Sequence, residues 1–322
     1  MLGIDVSKAE LACTWLDPQD QSIRWSAVVG NSLAGMQQIL EQTPADVAWV
    51  LEPTGALSQP VVETARAAGR AVLQAQPKRA QSFLRSVSAR AKTDQLDSLG
   101  LAQYALAVAL RPFPQKSEAV KQVEQLLAAR KGIVQSLSRL RAQQRSLPYA
   151  AEALEGARQD LQARRDELDR QILAARTGSD ELHDIVQRLK TVPGIGEVTA
   201  NAVGTRLVTH DFGHSGKFVA YVGLDVQVRD SGQRQGRRAL SHQGDAELRR
   251  LLFLAAMSNA RARDPNNPFR RQYERELGKG LRSTQALCAV ARKLARTCWS
   301  LHRHRSEYDP RRVNQQPHSG SC

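Results

Sequence analysis

Four carboxylates in the amino-terminal part of the chain stand where a charge needs a reason. Asp5 lies inside an apolar run, in GIDVSK, beside Gly3, Ile4 and Val6, and a carboxylate buried there without a partner is costly. Glu52 ends the apolar string VAWVLE just ahead of Pro53, Thr54 and Gly55. Asp94 and Asp97, in KTDQLD, lie three apart and so project from one face of a helix. If the strands that carry Asp5 and Glu52 are neighbours and the helix packs over them, the four acids converge. Such a cluster repels itself unless divalent cations such as Mg²⁺ are present. Two such ions can clamp the oxygens of a phosphodiester undergoing in-line displacement. Taken singly, each acid has a plainer reading: Asp5 closing a strand at a turn, Glu52 a surface residue before proline, Asp94 and Asp97 favouring the positive end of their helix. Their order and the elements that carry them favour the metal site.

Two further constellations lie in the second half. Thr191-Val192-Pro193-Gly194-Ile195-Gly196 followed by Glu197-Val198-Thr199-Ala200 has the pattern of a helix-hairpin-helix. Gly194 and Gly196 permit tight backbone conformations, and exposed N–H groups at the start of the second helix can hold a DNA phosphate without reading bases. An ordinary Gly-rich turn between packed helices has the same appearance. The string RDSGQRQGRRALSHQGDAELRR, Arg229 to Arg250, puts Arg234, Arg237 and Arg238 before Ser241, and Arg249 and Arg250 after it. A serine hydroxyl is a weak nucleophile until its deprotonation is eased and the attacked phosphate neutralised; clustered arginines meet the second need. On composition alone, Ser241 reads as well as the start of the following helix, with the arginines only binding backbone phosphates. Tyr221 and Tyr273 lack the Arg/His surroundings of a tyrosine recombinase, and the histidines show no spacing that compels a ligand role.

The elements that must position these residues can be read from the patterning. Met1–Val6, Leu11–Leu16 and Ser22–Val29 read as three strands with close connections, an antiparallel meander. Leu33–Glu41 reads as a helix, Val47–Leu51 as a compact apolar strand, Pro60–Ala68 as a helix and Ala71–Gln76 as a strand. Helices follow over Pro77–Ser88 and Thr93–Leu110. The order βββαβαβα is that of an RNase H-like sheet, and Pro112 and Pro114 close the unit. Next come two long polar helices. Leu154, Leu161 and Leu168 recur every seven residues, Val120, Val123, Leu127, Val134 and Leu137 follow a heptad-like pattern, and Pro148 between them favours an antiparallel hairpin. Its apolar stripe can pack internally or pair with a second copy. From Ser179 to Leu301 the chain reads as mostly helical, with loops around Pro193–Gly196, Val226–Gly244 and Asp264–Pro268. Glu307 to Cys322, rich in Pro, Gln, Ser and Gly, reads as disordered.

Composition narrows the partners. The 322 residues suit one large domain or two ordinary ones. Lys and Arg number 46 against 32 Asp and Glu, a net charge of +14, and the imbalance is local. Residues 1–110 hold nine basic and ten acidic side chains, whereas from Arg229 onward there are twenty and eight. A second half this basic points to a polyanion, because binding phosphates releases counterions. No apolar run is long enough to span a membrane, and MLGIDVSKAE, without a basic start followed by an apolar stretch, is not expected to be a secretory signal. The four cysteines (Cys13, Cys288, Cys298, Cys322) form no CxxC pair, which excludes a disulfide scaffold and a recognisable zinc site and suits a reducing cytoplasm.

Taken in series, GIDVSK, LEPTG, KTDQLD, TVPGIGEVTA and LSHQGDAELRRLL resemble the DEDD transposases of serine-dependent insertion sequences, a family whose members include the pilin-gene inverting recombinase. The resemblance runs over nearly all of residues 1–305. It implies an α/β RNase H-like (RuvC-like) domain over 1–112 with the DEDD site, a coiled-coil helical hairpin over 113–178, and a helical transposase domain over 179–305; a disordered tail over 306–322 completes the expected organisation. Matched by motif, the acidic tetrad falls on Asp5, Glu52, Asp94 and Asp97, with Mg²⁺ as the metal, and the nucleophilic serine on Ser241. The resemblance also implies a composite site that cuts and rejoins DNA through a covalent phosphoserine. A structured guide RNA, the bridge RNA, would pair with donor and target double-stranded DNA, and dimers would assemble into tetramers. Gly194, Gly196, Arg237, Arg238, Arg249 and Arg250 are the expected nucleic-acid contacts. The chain departs from the pattern at Pro53, at Ser98 and at His242, and Asp5 follows only four residues, so the first strand is expected to be short. Two other functions fit the residues: a RuvC-like structure-specific nuclease that hydrolyses DNA with water, and a non-enzymatic DNA-binding protein.

Overall fold

The computed structural model describes residues 1–87, 94–227, 239–241 and 243–314. The chain divides into two units, Met1–Pro114 and Gln115–Cys322.

In the first unit, β1 (Leu2–Val6), β2 (Glu10–Leu16) and β3 (Ile23–Gly30) form an antiparallel meander. The chain continues through α1 (Leu33–Gln42), capped by the Ser32 hydroxyl, to β4 (Trp49–Leu51), which pairs parallel with β1. Then follow α2 (Gln59–Ala67), β5 (Val72–Gln74), α3 (Pro77–Val87), α4 (Asp94–Ala107) and β6 (Arg111–Pro112). The six strands lie in the order β3-β2-β1-β4-β5-β6. The two-residue β6, which pairs antiparallel with β5 through Leu73 and Pro112, is too short to leave an alternating pattern and does not show in the sequence. The first strand is not curtailed: all five of its residues pair with β2.

Both faces of this sheet are covered, and the strand period of two sorts their side chains. Leu2, Ile4, Leu11, Cys13, Trp49 and Leu51 join Met36, Ile39, Val61 and Val62 in one buried layer with α1 and α2. Val50, on the opposite face, packs with Leu101, Tyr104 and Ala105 of α4. Gly3 is what lets α4 sit so close. A Cβ at Gly3 would run into the Ser98 carbonyl and stand 2.6 Å from the Ala102 nitrogen, so the helix backbone lies directly on β1. Ser98 is fully buried there, and its hydroxyl is satisfied by Thr14 Oγ1 at 2.8 Å and the Gln95 carbonyl at 2.9 Å. The serine at this position therefore pins α4 to β2.

Among its described residues the second unit is helical apart from one small strand pair. α5 (Glu118–Ser146) and α6 (Ala151–Thr177) flank a single turn of 3₁₀-helix at Pro148–Ala150. They run antiparallel, since Arg130 pairs with Asp169 while Gln144, nearer the turn, meets Glu155. At the base of the hairpin Val120, Val123 and Ile172 enter the main core, whereas Leu147 and Tyr149 at its tip are exposed. α7 (Asp180–Lys190), α8 (Glu197–Thr209) and α9 (Ser215–Val222) follow, then β7 (Val226–Gln227) pairs antiparallel with β8 (Ala239–Leu240). α10 (Ala246–Ala260), α11 (Pro268–Gly278) and α12 (Ser283–His304) complete it. Leu287, Val290, Ala291, Leu294, Cys298 and Leu301 recur at helical spacing, so α12 presents a continuous apolar stripe to this core.

The end of the chain differs from the expected disorder over residues 306–314. Val313 is buried in the core and the Tyr308 ring stacks on Phe269, so two apolar side chains hold a segment whose overall composition is that of a loop. Residues 315–322 lie outside the described residues. Gly3→Ala tests the close approach in the first unit. The added methyl group has backbone on two sides and no flexible neighbour to displace, so stability should fall by about 1–3 kcal/mol, measurable as a lowered urea midpoint.

Candidate active site

Asp5 and Gly3 share a face of β1, so Asp5 points to the side on which α4 lies. The parallel register matches Gly3 to Val50 and Ile4 to Leu51, which sets Glu52 level with Asp5 just past the ladder and on the same face as Val50. α4 brings Asp94 and Asp97 in its first turn. Oxygen atoms of Asp5, Asp94 and Asp97 all lie within 4.8 Å of one another. Glu52 stands outside that tight group but feels it: half-burial and then the charges of Asp5 and Asp97 push its carboxyl above the ordinary glutamate range. A donor set made only of carboxylate oxygens, with its charges held at close quarters, suits a hard divalent cation.

Ser241 follows β8 directly. Its N–H donates to the Asp225 carbonyl at 2.9 Å, and its hydroxyl donates to an Asp225 carboxylate oxygen. The Gln243 N–H donates back to Ser241 Oγ at 3.2 Å. Gly244 then packs against the Tyr221 carbonyl, and a Cβ there would stand 2.7 Å from the Gly223 nitrogen. Asp245 caps α10 by accepting from the Glu247 and Leu248 N–H groups, both at 3.0 Å. Its other oxygen accepts from Arg206 of α8 at 3.2 Å, and Arg206 also reaches Glu124 of α5 at 2.6 Å. Beside this network burial pushes the Tyr221 hydroxyl up to about 12. Burial, with the charges of Lys116 and Arg206, lowers the His210 imidazole to about 4.

The remaining expected contacts are distributed as follows. Gly194 has a positive φ of 79°, and a Cβ would strike the Asn259 amide and stand 2.8 Å from the Ala255 carbonyl. Its turn is therefore fastened to α10, where Asn259 donates to the Pro193 carbonyl at 2.7 Å. Gly196 is the N-cap of α8, with open space on its Cβ side. Next to it Glu197 pairs with the buried Arg176 and with Lys190. Arg249 donates to the Val222 carbonyl at 3.0 Å, and Arg250 pairs with Glu247, which also pairs with Lys131. Arg234, Arg237, Arg238 and His242 lie outside the described residues.

Comparison with known proteins decides the family. Residues 2–147 match the transposase family model DEDD_Tnp_IS110, and residues 186–274 match that of the IS116/IS110/IS902 family transposases. The chain belongs to the IS110/IS116/IS902 family of transposases. It is 26% identical to the pilin gene-inverting protein of Moraxella lacunata over 265 residues, covering 81% of this chain and 82% of that one. Over 126 residues, 36% of its length, it is 32% identical to the transposase of insertion sequence IS1328 from Yersinia enterocolitica.

Asp225, which touches the Ser241 hydroxyl, stands outside the five motifs. Its signal was present: an acid between Leu224 and Val226 in VGLDVQ sits in the same setting that singled out Asp5. Among the described residues Cys13, Cys288 and Cys298 are unpaired, and no helix is long and apolar enough to cross a membrane.

Two measurements test this geometry. The raised carboxyl of Glu52 favours its neutral form, so its ionisation costs stability at neutral pH and the cost fades as pH falls. Glu52→Gln should therefore raise the thermal midpoint of the metal-free transposase and shrink the increment that Mg²⁺ adds to the wild type. The lowered imidazole works in the other direction. Between pH 4 and the ordinary histidine value near 6.5, the unfolded chain binds the proton that folded His210 refuses. Stability should fall as pH drops through that window, with the lowered His302 adding to the slope. His210→Gln should flatten part of the fall in thermal scans between pH 4 and 7.

Proposed function

We propose that the transposase moves an insertion sequence by Mg²⁺-assisted transesterification, with Ser241 as the nucleophile. Residues 1–112 would form a RuvC-like RNase H domain, 113–178 a coiled-coil hairpin and 179–305 the domain that supplies the serine. The observation that carries the reading is the gathering of Asp5, Asp94 and Asp97 oxygens within 4.8 Å, with Glu52 beside them. Asp5, Glu52, Asp94 and Asp97 hold the metal. A metal held by these residues would supply neutralising charge at the scissile phosphate. Ser241 Oγ attacks the phosphorus, and the resulting phosphoserine keeps the energy of the broken phosphodiester for rejoining. Arg237, Arg238, Arg249, Arg250 and the Gly194–Gly196 turn contact nucleic-acid phosphates, in keeping with the strongly basic stretch from Arg229 onward. The partners are donor and target double-stranded DNA and a structured guide RNA, and the working assembly is a dimer that pairs into a tetramer. This reading is supported by the order of the five motifs and by the family's members, one of which is named for inverting a pilin gene.

The test uses a supercoiled plasmid that carries the gene with its native flanks, because those flanks hold the element's ends. Incubated with Mg²⁺ and RNA transcribed from those flanks, then denatured, the wild type should leave protein covalently attached to DNA. Ser241→Ala should leave none, and Asp94→Asn should lower the yield by at least about 100-fold. Cleavage by Ser241→Ala at the wild-type rate would mean that water is the nucleophile and the protein a hydrolytic nuclease. DNA binding without any cleavage by the wild type, unchanged by Asp5→Ala, would mean a binding protein only.

A further inference from the structure

Resting on the reading of Ser241 as nucleophile, we infer that Asp225 is the general base that takes the serine's proton during attack and returns it during rejoining. Activation of this hydroxyl needs a group that touches Oγ, and among the described residues Asp225 is the titratable one that does so. The contact is built in by the chain. β7 and β8 pair Val226 with Leu240, so the next step of the ladder sets Asp225 opposite Ser241, and the 2.9 Å bond from the Ser241 N–H to the Asp225 carbonyl holds that register. The side-chain bond then directs the hydroxyl hydrogen at the carboxylate. The Gln243 N–H occupies one lone pair of Oγ, which leaves the other for phosphorus. Asp225 itself is fixed from behind, because Gly223 ends α9 in a left-handed turn (φ 77°) and Leu224 is fully buried. Arg292 of α12 supplies a positive charge within electrostatic reach of Asp225, and its buried Nε has no hydrogen-bond partner among the described residues. Ser241, Asp225 and Arg292 thus present a hydroxyl, an acceptor for its proton and a cation.

The step balances. As the Oγ–P bond forms, the Ser241 proton passes to an Asp225 oxygen. One P–O bond of the DNA backbone breaks, and the departing sugar oxygen takes a proton from water. Rejoining reverses each transfer: a sugar hydroxyl attacks the phosphoserine and loses its proton to water, while Oγ leaves and recovers its proton from Asp225. Because one carboxylate serves both directions, it should limit cutting and sealing alike.

The experiment compares Asp225→Asn with the wild type on the same plasmid, following single-turnover formation of the covalent adduct and, separately, plasmid binding. Asparagine keeps an acceptor oxygen for the hydroxyl but cannot take its proton. Adduct formation should slow about 100-fold or more, the scale of a lost general base, with binding and thermal midpoint unchanged. Asp225→Ala should recover adduct formation when formate is added. That rescue also decides the matter if Asp225→Asn folds poorly, since a purely structural aspartate would not be replaced by a diffusing carboxylate. A rate for Asp225→Asn within about threefold of wild type, or Asp225→Ala unaffected by formate, overturns the inference. A wild type that yields no adduct removes the serine reading and this one with it, whereas a normal wild type beside an unimpaired Asp225→Asn removes this one alone.

Discussion

The amino-terminal unit depends on one close approach, that of the α4 backbone to β1 over Gly3. Carboxylates placed near one another raise each other's energy, so they meet only where packing elsewhere holds their elements in place. The contact over Gly3 is backed by the fully buried Ser98–Thr14 hydrogen bond and by Leu101 and Tyr104 packing against Val50. With α4 seated there, its first turn has one place to go, above the ends of β1 and β4. Glu52 registers the result as a carboxyl whose ionisation burial, and then its acidic neighbours, resist.

The second unit solves a related problem by different means. Ser241 lies on a short segment between a two-residue strand and a helix, with little apolar surface of its own. The segment is held by polar anchors: Asp225 at its start, Tyr221 and Gly223 beneath Gly244, and Asp245 capping α10 while gripping Arg206. Arg206 carries the connection on to Glu124, so the hairpin helix α5, the helix α8 and the serine segment share one chain of charges. Half-buried ion pairs of this kind fix geometry more than they add stability.

Much of this was legible in the sequence, for reasons that differ by residue. Asp5 and Glu52 could be read because a charge inside an apolar strand needs an explanation, and Asp94 and Asp97 because their spacing defines a helix face. That β1 and β4 are neighbours was the condition on which the four acids would converge, and the parallel pairing of the two strands meets it. What the patterning did not contain was anything set by single backbone contacts. Gly3 reads as an ordinary strand glycine until α4 is placed on it, and β6 is two residues long. Asp225 gave the same signal as Asp5 but stood outside the motifs, so its hydroxyl partner emerged only once β7 and β8 were paired. Composition marks Arg249 and Arg250 as charged but does not show that within the chain Arg249 also meets the Val222 carbonyl and Arg250 also pairs with Glu247. At the chain's end, a count dominated by polar residues hid the two apolar ones that anchor it.

That anchored end has a practical consequence for handling the protein. Tyr308 not only stacks on Phe269 but also donates its backbone N–H to the Thr191 hydroxyl at 3.4 Å, next to the turn that holds Gly194. Val313 fills a place in the same interior. A fluorescent reporter or affinity handle spliced in directly after α12 would strip away that buttress and loosen the Gly194 corner from behind, whereas one that leaves Tyr308 and Val313 in the chain keeps both contacts.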